Sequence, residues 1–138
     1  MPVSKGMSSP EPFRVRAGSA SPGGEGDANR ELSALNELAR IATLDLELGA
    51  MVQRITDVLA SHFEWELVAL ATTNADGEAF TCQALTSSLP TAVHIGYSRP
   101  LGSGVVGEVA STQRAVLIDD VRLHANFVDT TPGVLSEI

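Results

Sequence analysis

The chain has 138 residues and a mass of 14.4 kDa, 43% of them hydrophobic and 19% charged, which suffices for one domain with a modest core and excludes two. Nine Lys and Arg stand against 17 Asp and Glu, a formal net charge of -8, so phosphate backbones are repelled and no nucleic-acid partner is expected. A single cysteine, Cys82, excludes an intramolecular disulfide or a multi-thiolate metal site. No apolar run approaches the roughly 18 residues of a membrane span, so a cytoplasmic setting without a membrane partner is expected.

Residues 1–27, rich in Pro, Gly and Ser and without a signal-peptide core, read as a disordered leader. From Asn29, residues Leu32, Leu35, Ala39, Ala42 and Leu46 follow a 3, 4, 3, 4 spacing, which puts them along one seam of a connecting helix over residues 28–44. Two partners suit such a seam: a second copy in a homodimer, or the helix's own domain. The domain proper is assigned to residues 45–138. A second helix carries Leu48, Met51, Val52, Ile55, Val58, Leu59 and His62 at i, i+3, i+4 and i+7 positions, with Asp45 as its candidate N-cap. Strand residues 67–73 run into Asn74-Ala75-Asp76-Gly77, a hairpin turn, and residues 79–85 return antiparallel. Ala92–Tyr97 is expected as a third strand closed by Pro100. Gly104–Thr112 reads as a short helix, and Ala115–Ile118 as a buried strand. Helices and strands without regular alternation argue for an α+β domain.

Gly102-Ser103-Gly104-Val105-Val106-Gly107 is a literal G-x-G-x-x-G, the string that cradles a pyrophosphate in dinucleotide-binding folds. The surrounding context does not suit that role. Pro100 interrupts the approach and the following helix has only about two turns, where a nucleotide site needs a strand leading in and a long helix leading out. The longer run Leu101–Val121, in which the glycine segment opens a short helix and an apolar strand leads into Asp119-Asp120-Val121, resembles the signature of the GAF domain. Pro132–Ile138 resembles the Ser-Glu-apolar stretch that begins the next strand of that family, and the resemblance spans residues 46–138.

The resemblance implies an antiparallel sheet flanked by helices, a GAF-like fold incomplete at its C-terminus, since the family has two further strands and a closing helix. The chain is accordingly expected to be the N-terminal part of a longer bacterial signalling protein. The resemblance also implies a cavity for a small ligand, with Tyr97, Asp119, Asp120, Phe127 and Glu137 as candidate ligand-binding residues and Gly102, Gly104 and Gly107 as the structural motif. The adjacent acids Asp119 and Asp120 equally suit a solvated strand-end turn.

Catalysis has less support. The free methionine-R-sulfoxide reductases of this family place a cysteine between the last two glycines, where this chain has Val106, and Cys82 alone lacks a resolving thiol. The same lack counts against covalent bilin attachment, and Asn126-Phe127-Val128-Asp129 does not reproduce the cyclic-nucleotide motif of other members. His62, His94 and His124 stand apart in sequence, so neither a metal nor a cofactor is expected. The expected function is a sensory domain that binds a small ligand or partner domain, works as a homodimer, and controls a linked output such as a diguanylate cyclase or histidine kinase. The alternatives are a GAF-fold enzyme and a ligand-free dimerisation module.

Overall fold

In a computed structural model, residues 26–138 are described, and all but two residues of the leader expected over 1–27 lie outside them. The elements in chain order are α1 (Gly26–Ala42), α2 (Leu48–Phe63), β1 (Leu67–Thr73), β2 (Ala79–Ser87), β3 (Ser98–Pro100), α3 (Gly104–Thr112) and a 3-10 turn (Val121–Leu123). The three strands form one antiparallel sheet in the order β1-β2-β3, and the architecture is α+β.

Helix α1 packs on α2 through Ala34 and Ile41, both buried, while the seam Leu32, Leu35, Ala39 and Ala42 faces outward. Leu46 lies beyond the end of the helix. Two ion pairs and one histidine–carboxylate contact join the pair: Arg54 to Glu37 at 3.5 Å, Arg30 to Glu64 at 3.8 Å, and His62 Nε2 to Glu37 at 3.6 Å. Helix α2 starts at Leu48 with Glu47, not Asp45, in the N-cap position, and no side chain caps it. Because the helix begins at Leu48, Asp45 lies two residues before the N-cap position. At its far end Glu64 adopts a left-handed conformation and Trp65 stacks on Phe63 with ring centroids 4.9 Å apart.

The β1–β2 hairpin closes on Asn74, whose side-chain oxygen accepts from the amides of Glu78 and Ala79, while Gly77 supplies a φ of 72°. A bulge between Leu70 and Ala71 leaves Gln83 without a partner across the ladder. Phe80, Cys82 and Ala84 alternate inward along β2, and the small Cys82 and Ala84 let α2 lie close. The contact is locked by a side chain acting as a strand substitute. The Gln53 amide donates to the Leu85 carbonyl at 2.9 Å and its oxygen accepts from the Leu85 amide at 3.3 Å. Buried Thr56 shares a hydrogen bond with Thr86 at 2.9 Å, and Thr86 donates to Asp57 at 2.6 Å.

Two expected strands differ. Ala92–Tyr97 is a turn, because Gly96 at φ 88° bends the backbone so that only its amide and the Tyr97 carbonyl meet Cys82; β3 follows at Ser98–Pro100. Pro100 ends a sheet-edge strand, the position a residue without an amide proton tolerates. Ala115–Ile118 shrinks to one bridge, Ile118 to Glu137, since Ala115 and Leu117 remain exposed and bring no neighbour to the ladder.

Candidate functional site

The glycine turn joins β3 to α3. Gly102 and Gly104 hold φ of 81° and 74°, a conformation that L side chains resist, so two of the three motif glycines are required by backbone geometry. Gly107 is required by contact: a Cβ there would stand 3.0 Å from the Gly102 nitrogen and 3.1 Å from the Pro100 oxygen. The turn is closed from within, the Gly102 amide donating to the Gly107 carbonyl at 3.0 Å and the Ser103 amide to the Pro100 carbonyl at 3.2 Å. Arg99 donates to the Ser103 hydroxyl at 2.6 Å.

Asn126 completes this closure from the far side. Its amide donates to the carbonyls of Gly102 and Gly104, both at 3.1 Å, and lies 3.4 Å from Glu108 Oε2. That carboxylate also faces His124, whose Nε2 is 3.6 Å away, while His124 Nδ1 is buried without a hydrogen-bond partner among the described residues. Glu137 contributes a third charge. Burial pushes its carboxyl above the usual range, and the nearby His124 works in the opposite direction. Its backbone pairs with Ile118 through bonds of 2.7 and 2.9 Å, and the Val121 amide donates to the Leu135 carbonyl at 2.9 Å. Val105, Ile118 and Val121 form the apolar floor of this unit, with Val116, Phe127 and Val134 packed against it.

Four of the five candidate ligand-binding residues therefore gather on the unit built from α3, the 3-10 turn and the Ile118–Glu137 bridge. Phe127 is half-buried against its core and Glu137 forms its bridge. Asp120 caps the 3-10 turn, accepting from the Arg122 amide at 3.0 Å and from its guanidinium at 2.8 and 2.7 Å, and those side-chain bonds hold its carboxyl below the usual range. Asp119 is exposed. Tyr97 stands apart, immediately before β3, its carbonyl accepting from the Cys82 amide and its ring edge-on to His94 at 5.9 Å. Grooves of about 290 and 220 Å³ lie between α1 and α2, and neither is lined by any of these five residues. Sequence reasoning missed Glu108, weighed Asn126 only against a cyclic-nucleotide motif it does not reproduce, and weighed His124 only as a metal ligand. The one available signal was the glycine turn itself, whose carbonyls require a donor that no spacing rule identifies.

Cys82 is buried, 3% exposed, and its thiol donates to the Ala84 carbonyl at 3.4 Å. Burial pushes the thiol's pKa up, which suppresses the thiolate. No helix among the described residues is long and apolar enough to cross a membrane.

No protein-family model matches the chain, and no curated protein sequence does. Solved structures do match. The free methionine-R-sulfoxide reductase from Neisseria meningitidis, in complex with its substrate, superposes with a TM-score of 0.68 at 19% identity over 86% of this chain and 65% of that one. The GAF domain of the Acinetobacter phosphoenolpyruvate-protein phosphotransferase gives 0.64 at 15% identity over 73% and 63%. A GAF sensor protein from Burkholderia vietnamiensis gives 0.65 at 17% identity over 80% and 66%. The chain thus spans just under two thirds of the length of each of these structures. At such identities the likeness establishes architecture, and the architecture is plain: this chain has a GAF-like fold.

Proposed function

We propose that the chain is a cytoplasmic sensory module that binds a small ligand or a partner domain on the α3 unit and regulates a covalently linked output, such as a diguanylate cyclase or a histidine kinase in a longer parent. The observation that carries this reading is a continuous mechanical path. The α3 unit adjoins β2, β2 is clamped to α2 by the Gln53–Leu85 bonds, and α2 carries α1, whose outer face is open. A ligand acts on such a path only through its differential affinity for two packing states, and a tenfold difference corresponds to about 1.4 kcal/mol. The apolar side chains Leu123, Leu135 and Ile138, exposed on the same unit, suit a partner surface.

The test is thermal unfolding followed by the single Trp65, in the presence of cyclic nucleotides, nucleotides, amino acids and dicarboxylates. The reading expects at least one class to raise Tm, and the shift to diminish in Glu137→Gln. No shift from any of them would favour a module that serves only dimer formation.

The enzymatic alternative has one observation behind it, the superposition on a methionine-R-sulfoxide reductase. Against it stands the chemistry of the sole cysteine, which is buried, protonated by its surroundings and without a second thiol to resolve an oxidised intermediate. Thioredoxin-coupled NADPH consumption with free methionine sulfoxide decides the matter. We expect none, and turnover that disappears in Cys82→Ser would overturn the sensory reading.

A further inference from the structure

We propose that His62 is a proton-operated clasp between the first two helices: as an imidazolium it donates to Glu37 and holds α1 on α2, and as the neutral ring it lets α1 loosen. This goes beyond the ligand-responsive path proposed above, because it gives the outer helix a control that needs no ligand on the α3 unit.

The two ring nitrogens have different partners. Nδ1 stands 3.0 Å from the Val58 carbonyl, which can only accept, so this nitrogen carries a proton in both charge states. The proton that comes and goes is therefore on Nε2. In the neutral ring Nε2 presents a lone pair, accepting from the Ser33 hydroxyl at 3.4 Å while it faces the Glu37 carboxylate at 3.6 Å, so acceptor meets acceptor across the helix pair. Protonation turns that contact into an N–H against a carboxylate, and the Ser33 hydroxyl, which accepts as readily as it donates, no longer has to supply the hydrogen.

The charges around the ring are few. His62 lies in the last turn of α2, where the unsatisfied helix carbonyls favour a cation. Glu37 is the charge that α1 brings to it; Arg30 is paired with Glu64, and Glu31 lines a separate groove with Leu59 and Phe63. On α2, Arg54 shares Glu37 at 3.5 Å and opposes a second positive charge, while Asp57, on the same groove as His62, accepts from Thr86 at 2.6 Å. Of the strands packed on α2, β1 has no ionisable side chain and β2 has only Cys82, whose buried thiol stays uncharged. The joint has little else to hold it. Within α1 only Ala34 and Ile41 are buried, and the Arg30 and Glu64 side chains are 60% and 78% exposed, so water screens them; those of His62 and Glu37 are 20% and 34% exposed.

The experiment is amide hydrogen exchange of the full chain at about pH 5.5 and about pH 8, each rate corrected for the intrinsic rate at its pH, with the β2 amides as internal reference. The parent is compared with His62→Gln, Glu37→Gln and Arg54→Gln. We expect the α1 amides of the parent to be about threefold better protected at the acid pH, the size set by a partly exposed ion pair. The difference should vanish in His62→Gln and Glu37→Gln and persist in Arg54→Gln, because the guanidinium does not titrate in this range. Equal protection at both pH values in the parent would overturn the clasp, and so would a difference that survives in His62→Gln or Glu37→Gln. Its loss in Arg54→Gln as well would show that any weakening of the joint erases it, and would equally overturn the assignment to His62.

Discussion

Gly107→Ala separates a packing role for the glycine motif from helix propensity, because the two effects have opposite sign at this residue. Inside α3 an alanine is favoured over glycine by about 1 kcal/mol. Its Cβ, however, would meet backbone on three counts: the Gly102 nitrogen at 3.0 Å, the Pro100 oxygen at 3.1 Å and the Gly102 carbonyl carbon at 3.3 Å. Backbone cannot rotate away, so the turn must retreat by a few tenths of an ångström, an overpacking cost of about 1–3 kcal/mol. The retreat also stretches the hydrogen bond from the Gly102 amide to the Gly107 carbonyl, a loss of about 1 kcal/mol. The net expectation is destabilisation of about 1–3 kcal/mol. Gly49→Ala supplies the opposite case, since nothing lies within 4 Å of its Cβ and its φ is not positive; it should stabilise α2 by about 0.5 kcal/mol. Urea unfolding followed by Trp65 fluorescence reads both as shifts of midpoint at constant slope. If Gly107→Ala is as stable as the parent while Gly49→Ala shows its gain, the close approach of turn and helix does not constrain this fold, and the structural account of the motif fails.

Two further expectations concern the clamp and the buried acid. Gln53→Ala removes both bonds to Leu85 and the neighbouring contact to Thr86, leaving the half-buried strand amide without its partner; a loss of about 1–2 kcal/mol is expected, with the Leu85 amide losing its protection from hydrogen exchange. Unchanged protection would show that α2 is held to β2 by apolar packing alone. Glu137→Gln tests the raised carboxyl. Because the folded value lies above the unfolded one, ionisation costs stability: the penalty is absent below about pH 4, grows as pH rises towards the folded value and is complete above it. The glutamine variant should match the parent at low pH and exceed it at pH 7 by a few tenths of a kcal/mol, the remaining solvent exposure and the attraction of His124 limiting the gain. A variant less stable than the parent at pH 7 would mean that the His124 contact outweighs desolvation.

What the sequence made legible is what short-range periodicity encodes. The second helix, the β1–β2 hairpin and α3 follow from patterns contained within each element, and their bounds agree with the structure to within two residues. The third strand failed because alternation from Val93 to Tyr97 says nothing about Gly96, whose positive φ turns the chain and postpones pairing to Ser98. Ala115–Ile118 failed for a complementary reason: an apolar run makes a strand only if a neighbour lines up beside it, and only Glu137 does. The outward seam of α1 was visible as a spacing, yet the face that meets its own domain is marked by only two residues, Ala34 and Ile41, which lie off that seam. Glu108, His124 and Asn126 were illegible together because they converge from separate elements, 16 and 18 residues apart, on one turn.

The way that turn is built explains how one glycine string serves two unrelated purposes. In a nucleotide site the turn leaves its amides pointing outward for phosphate oxygens. Here the Gly102 and Ser103 amides are spent on the Gly107 and Pro100 carbonyls, and the Gly102 and Gly104 carbonyls are spent on Asn126. The exposed chemistry of the unit therefore passes from the glycines to what Asn126 brings with it: Glu108 and His124, with Glu137 beside them. Two carboxylates and an imidazole, one ring nitrogen of which has no hydrogen-bond partner among the described residues, thus stand together beside the Ile118–Glu137 bridge. A ligand or partner that neutralises or displaces one of these groups changes the balance among all of them, because each is close enough to the next for its charge to be felt. Regulation of the kind proposed above would have its physical basis in that coupling and not in the glycine spacing.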